Sequence, residues 1–307
     1  MGKNFSDQMI DRINKNFFKV NNILNLYIKN PDEKNIHDIR KSIRRAESAY
    51  VTLPEEYRSK KNFKEFIHQS KAFFKINSQI RDYDIYLQKI ESFKKTDNGN
   101  KKSKNTPNSH ISNSEYKSKN NDIVSEIQNL RKSKLLYATM VAEQLKNLEY
   151  PQIKDNNKKN STKINSRFKK VTKKFTRKIQ KNLPIVINDN SKVEELHTLR
   201  KDCKKLRYLL ELKLELPDKN EDNPNNNDND YKDLDKIIIK LEDIQDLLGQ
   251  IHDCDALLSF FEKLEKFPET KSIIKTESEN RKDLYQKFVN KFHQNTNLDI
   301  LFSNIIK

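Results

Sequence analysis

The sequence predicts an all-α fold: two pseudo-symmetric four-helix bundles, duplicates of one unit, each carrying one strongly basic helix face. Three observations carry this. Only three glycines and eight prolines occur in 307 residues, and tryptophan is absent. Such a shortage of turn residues fits long helices and disfavours a many-stranded sheet. Apolar residues recur every three or four positions along much of the chain, the period of a helix with one buried face. Finally, two motifs occur twice in the same order, which points to duplication of a helical unit.

The elements follow in order. Over residues 5–29, Ile13, Phe17, Val20, Leu24 and Tyr27 form one stripe and predict the first helix. Pro31 and Asp32 punctuate it, and Asp32 suits the N-cap of a second helix that runs to about Thr52, before Pro54. A third helix is expected from Glu56 to Phe93, broken once. Residues 94–120 are rich in Lys, Asn and Ser and are expected to be a flexible loop. A fourth helix then covers about Asp122 to Leu148. Pro151 and the polar stretch over 151–165 mark the boundary between an N-terminal half, 1–150, and a C-terminal half, 160–307. Helices are expected over 166–182 and 191–216, then an acidic, Asn-rich loop over 217–230. Further helices follow over 231–265, 270–293 and 297–306.

The repeat is explicit in the residues. Ile36-His37-Asp38-Ile39-Arg40-Lys41-Ser42-Ile43-Arg44-Arg45 aligns with Leu196-His197-Thr198-Leu199-Arg200-Lys201-Asp202-Cys203-Lys204-Lys205. Downstream, Ser78-Gln79-Ile80-Arg81-Asp82-Tyr83-Asp84 aligns with Gly249-Gln250-Ile251-His252-Asp253-Cys254-Asp255. On a wheel of 100° per residue, Arg200, Lys201, Lys204, Lys205 and Tyr208 fall within about 80° of His197. Leu196, Leu199, Cys203, Leu206 and Leu210 lie opposite. His37 gathers Arg40, Lys41, Arg44 and Arg45 in the same way, opposite Ile36, Ile39, Ile43 and Ala46. Like charges at i,i+4 destabilise a helix by a few tenths of a kcal/mol per pair. Concentrating them on one face in both copies points to an anionic occupant, which arginine's planar fork grips well. A third basic helix adds Lys170, Lys173, Lys174 and Arg177, in a stretch over 163–181 that holds no acid. It reads as a second wall of the same groove, although a basic amphipathic helix also suits a membrane surface.

The formal net charge of +17 attracts phosphate polymers, nucleic acid or an anionic membrane. Cys203 and Cys254 read as small core residues of a reducing compartment. No run of about 18 apolar residues occurs, so no membrane span is expected and the cytoplasm is the default location. Neither a P-loop, a dinucleotide fingerprint nor a nucleophile–base pair appears, so no catalytic residues, no cofactor and no metal are expected. No two of the six histidines stand at i,i+3 or i,i+4. The Asp82/Asp84 and Asp253/Asp255 pairs are expected to orient neighbouring Arg and Lys.

These motifs together resemble the CHAD family, the conserved-histidine α-helical domain. His37-Asp38-Ile39-Arg40 with Arg44-Arg45, Leu196-His197-Thr198-Leu199-Arg200 running into Lys205-Leu206-Arg207-Tyr208, and Asp246 to Asp255 carry the resemblance. It implies two helical bundles around a basic central cavity or groove, binding of inorganic polyphosphate and recruitment to polyphosphate granules. It adds Arg81, Arg207 and His252 to the candidate residues and leaves nucleic acid as a weaker competing polyanion. Ser78 stands where the family commonly has glycine. The histidines, with a reference pKa of about 6.5, are expected to tighten binding at pH 6 relative to pH 8.

Overall fold

The structure is a computed structural model that describes residues 5–101, 113–154, 158–214, 228–264 and 270–294. Among these residues every regular element is a helix: α1 Phe5–Lys29, α2 Glu33–Val51, α3 Glu55–Arg58, α4 Lys61–Lys101, α5 Asn113–Lys146, α6 Lys158–Asn188, α7 Val193–Leu214, α8 Asp228–Glu262 and α9 Thr270–Gln294.

The apolar stripes face inward as the period requires. Ile13, Phe17, Val20, Leu24 and Tyr27 of α1 are all buried. So are Ile36, Ile39, Ile43 and Ala46 of α2, and Leu196, Leu199, Cys203, Leu206 and Leu210 of α7. Asp32 caps α2, its carboxylate accepting the Asn35 N–H at 2.7 Å. The single break expected in the third helix falls at Ser59–Lys60, between α3 and α4.

The helices reach further into the polar stretches than their composition suggests. α4 runs to Lys101 and α5 begins at Asn113, so 94–101 and 113–120 are helical, and 102–112 lie outside the described residues. α6 begins at Lys158, eight residues before the expected start, and continues through Pro184 to Asn188. Tertiary contacts support these first two turns: the Asn160 amide donates to the Tyr57 hydroxyl at 2.8 Å, Lys163 pairs with Glu56 at 2.6 Å, and Ile164 is buried. The boundary near Pro151 is anchored. Asn14 donates to the Ile153 carbonyl at 3.0 Å and accepts its N–H at 2.9 Å, and Tyr150 donates to the Asn14 carbonyl. α8 begins at Asp228; 215–227 and the helix expected over 297–306 lie outside the described residues.

Neighbours along the chain pack in the same order in both halves. α1 lies on α2, α2 on α4 and α4 on α5; α6 lies on α7, α7 on α8 and α8 on α9. The halves meet through α2 against α7, α4 against α8 and α1 against α6. Apolar residues from Met9 to Phe292 merge into one core, so neither half closes a core of its own. A second cluster of α4, α5, α8 and α9, built around Tyr86, Ile127 and Phe261, closes the far end.

Beside it, buried Glu277 of α9 joins three elements. It accepts from Lys89 of α4 at 2.8 Å, from Cys254 of α8 at 3.3 Å and from Asn280 at 3.2 Å. Glu277→Ala is expected to cost about 1–2 kcal/mol, because those donors lose their acceptor. Urea denaturation measures it; an unchanged midpoint at unchanged slope would show that the network does not support the fold.

Candidate functional site

Four helices bring the repeated motifs together. α2 and α7 supply the first motif of each half, and α4 and α8 the second. Arg40 and Arg44 stand one turn apart on α2, and both guanidinium carbons lie over the Phe74 ring of α4, at 5.5 and 4.4 Å from its centroid. Arg200 and Lys204 stand one turn apart on α7. Their charges act directly on those of Arg40 and Arg44. Asp82 of α4 and Asp253 of α8 face the same group and influence each other. Gly249 lies beside Arg200: a Cβ there would sit 3.9 Å from the Arg200 Nε, an ordinary contact, so glycine is not sterically required. At the matching position Ser78 turns its hydroxyl to the Phe74 carbonyl at 2.9 Å.

The other aspartate of each pair does what the sequence suggests. Asp84 accepts from Arg131 of α5 at 2.5 Å, and Asp255 accepts from Arg281 of α9. These pairs tie α4 to α5 and α8 to α9, which fixes the helices that carry Asp82 and Asp253.

The central cations sit in an environment that opposes their charge. Burial pushes the Arg40 guanidinium down to about 10, with Arg44 adding to the effect and Asp82 opposing it. Arg44 and Arg200 are lowered for the same first reason. Lys204 is driven down to about 7 by burial and then by Arg200, Arg44 and Arg40. None of these four forms an ion pair with a described carboxylate. The Nε atoms of Arg40 and Arg200 are buried without a hydrogen-bond partner. Burial also raises both aspartates, Asp82 to about 6, and the two acids face four cations.

The histidines behave differently from the expectation. His197 and His252 meet with Nδ1 atoms 3.1 Å apart, so at most one of the two can carry a proton between them. Burial, then Arg200 and His197, lowers His252 to about 3. Burial, then Lys201 and Arg200, lowers His197. His252 therefore stays neutral between pH 8 and pH 6 in the free protein, and His197 is shifted in the same direction. Lys204 is the cation whose pKa falls in that range.

Several candidates lie away from the centre. His37 and Lys41 are exposed on α2. Arg45 pairs with Glu211 of α7 at 2.9 Å across the α2–α7 seam, and Arg207 is shared between Glu211 of its own helix at 3.5 Å and Glu242 of α8. Arg81 reaches Glu33 at 2.5 Å while its charge still acts on Asp82 and Asp253. Lys201 is exposed beside His197. Lys205 lies over Phe175 of α6 at 5.5 Å, between Asp202 and Glu47. Lys174 acts on Asp202 in the same patch. Lys170 and Arg177 are exposed and Lys173 half-buried on α6, and the largest influences on the central group come from α2, α4, α7 and α8. Phe74, Glu47 and Glu211 were not among the sequence candidates. Only helix packing brings them to the motif residues.

Among the described residues no group of three His, Cys, Asp or Glu could hold a metal ion, and no helix is long and apolar enough to cross a membrane.

Comparison with known proteins adds two findings. The family model of the CHAD domain matches residues 21–262. A crystal structure of the CHAD domain from the plant Ricinus communis aligns with a TM-score of 0.53 at 11% identity, covering 98% of this chain and 91% of that one, a likeness of fold. No curated protein matches the chain.

Proposed function

This chain belongs to the CHAD domain family, and we propose that its central cationic cluster binds inorganic polyphosphate and holds it without cleaving it. The family's general association with polyphosphate supports this reading. One observation carries it for this chain. Arg40, Arg44, Arg200 and Lys204 are gathered, partly desolvated and unpaired, with two Nε donors left unsatisfied. Buried donors normally find partners, and unpaired buried charge is costly. A chain of phosphate oxygens supplies both the missing acceptors and the missing charge. The matched placement of Arg40 and Arg200, and of Asp84–Arg131 and Asp255–Arg281, supports reading the two halves as a duplicated unit. Recruitment to polyphosphate granules follows from the same binding.

Polyphosphate fits better than nucleic acid because, among the described residues, the cluster offers no free aromatic face. Phe74 is covered by Arg40 and Arg44, and Tyr208 is buried. Base stacking is therefore poorly provided for. In competition at about 0.15 M salt, long-chain polyphosphate is expected to displace duplex DNA and tRNA at equal phosphate concentration. Displacement in the opposite direction sinks the reading. Holding without cleavage is tested with tripolyphosphate and Mg²⁺: release of phosphate that Asp253→Asn abolishes would make the protein a hydrolase.

A further inference from the structure

α2 and α4 run antiparallel, and the central cluster occupies only one end of the seam between them. Arg40 lies by Asp82, Arg44 by Phe74, and Glu47 by Lys71. Beyond Glu47, Tyr50 of α2 lines an open groove of about 640 Å³ together with Ser59, Lys61, Lys64, His68 and Lys71 of the α3–α4 region. On α4 the residues Lys64, His68, Lys71, Lys75, Ser78 and Asp82 follow steps of four, three, four, three and four, so they share one face. That face runs about 27 Å, at 1.5 Å per residue, from the open groove to the cluster.

Lys64, His68, Lys71 and Lys75 are exposed, and none of these lysines is held in an ion pair with a described acid. Glu65 is the acid in the groove lining. Glu47 stands at the midpoint, between Lys71 of α4 and Lys205 of α7. Burial raises its carboxyl while the two lysines and Arg44 pull it down. Basic residues of α4 and α7 thus flank Glu47 of α2 from both sides.

From this alignment we infer that Lys64, Lys71 and Lys75 form an extended subsite, a track along α4 that holds the part of a long polyphosphate chain emerging from the central cluster. The inference rests on the polyphosphate reading of that cluster. A short oligophosphate fills the cluster and leaves the track empty. A long one releases further counterions along the track, so affinity rises with chain length.

Calorimetric titration with tripolyphosphate and with long-chain polyphosphate tests it on three proteins: wild type, Lys64→Gln/Lys71→Gln/Lys75→Gln, and Arg40→Ala/Arg200→Ala. The triple variant is expected to bind tripolyphosphate as wild type does. Its affinity for the long chain should fall roughly tenfold, as three exposed charge interactions imply. Its slope of log K against log salt should shrink by about 2, by analogy with single-stranded polyanions. Unchanged long-chain affinity in the triple variant, with binding of both ligands abolished in the arginine variant, overturns the track and leaves the cluster standing. Equal weakening of both ligands in the triple variant also overturns the track, since the lysines would then act only as a general field. Wild-type affinities in the arginine variant, or no binding by wild type, refute the cluster reading and the track with it. All three lysines are exposed, and thermal melts confirm that the variant is folded.

Discussion

Arg40→Ala/Arg200→Ala is expected to weaken binding of long-chain polyphosphate by roughly 10²- to 10⁴-fold, from about 1.5–3 kcal/mol for each charge-assisted hydrogen bond removed. The two arginines hold the same place in the two motif copies, and each has a buried Nε without a partner. Removing both takes away two forks and leaves Lys204 and Arg44 as the central cations. Arg40→Lys/Arg200→Lys should recover only part of the affinity, because an ammonium keeps the charge but not the planar pair of donors. Lys41→Ala, at an exposed position of the motif away from the central cluster, should change affinity by less than about threefold, as a single surface charge does. Titration calorimetry on the four proteins reads these differences, with melting curves as the control for folding. Equal affinity in wild type and the double alanine variant would detach binding from the repeated motif.

What the sequence could and could not reveal follows from the range of each interaction. The helix faces of α1, α2 and α7 were legible because burial there is periodic: Ile13, Phe17, Ile39, Leu199 and Leu206 need only the local 3.6-residue repeat to face inward. The Asp32 cap was legible for the same local reason. The start of α6 was not. Lys158–Ser166 is polar, and its helix is supported by Tyr57, Glu56 and the core around Ile164, all set by tertiary packing. The wheel placed Arg45 with Arg44 correctly in direction, yet it carried no knowledge of Glu211, 166 residues away, which takes Arg45 out of the cluster. The motif copies likewise located the cations of α2 and α7 but gave no measure of their crowding. A histidine read in isolation keeps its reference pKa. Packed beside Arg200, Lys204 and a second imidazole, His252 holds its proton only far below that value.

The same crowding gives Lys204 the second large effect. Its pKa is about 7 in the folded protein against 10.5 when unperturbed, so the folded state binds fewer protons than the unfolded chain between those values. The stability this group contributes is fully present above pH 10.5 and is lost as pH falls through about 7. Asp82, raised to about 6, and His252, lowered to about 3, act in opposite senses between pH 4 and 6. The Lys204 contribution is therefore cleanest above pH 7. Lys204→Met should stabilise the free protein at pH 6 by on the order of 2 kcal/mol, with the difference fading toward pH 10. Binding has the opposite dependence. A polyanion restores the Lys204 proton, so wild type should take up about one proton per site at pH 8 and bind more tightly at pH 6. Long chains keep titration of the phosphate ends a small part of the signal. Calorimetry in buffers of different ionisation heat measures the uptake, and Lys204→Met should abolish it while His252→Gln leaves it in place. The reverse result would return the pH response to the histidines. A variant that folds better at pH 6 and binds worse there would show that the cationic cluster is maintained for its ligand at the expense of the free protein.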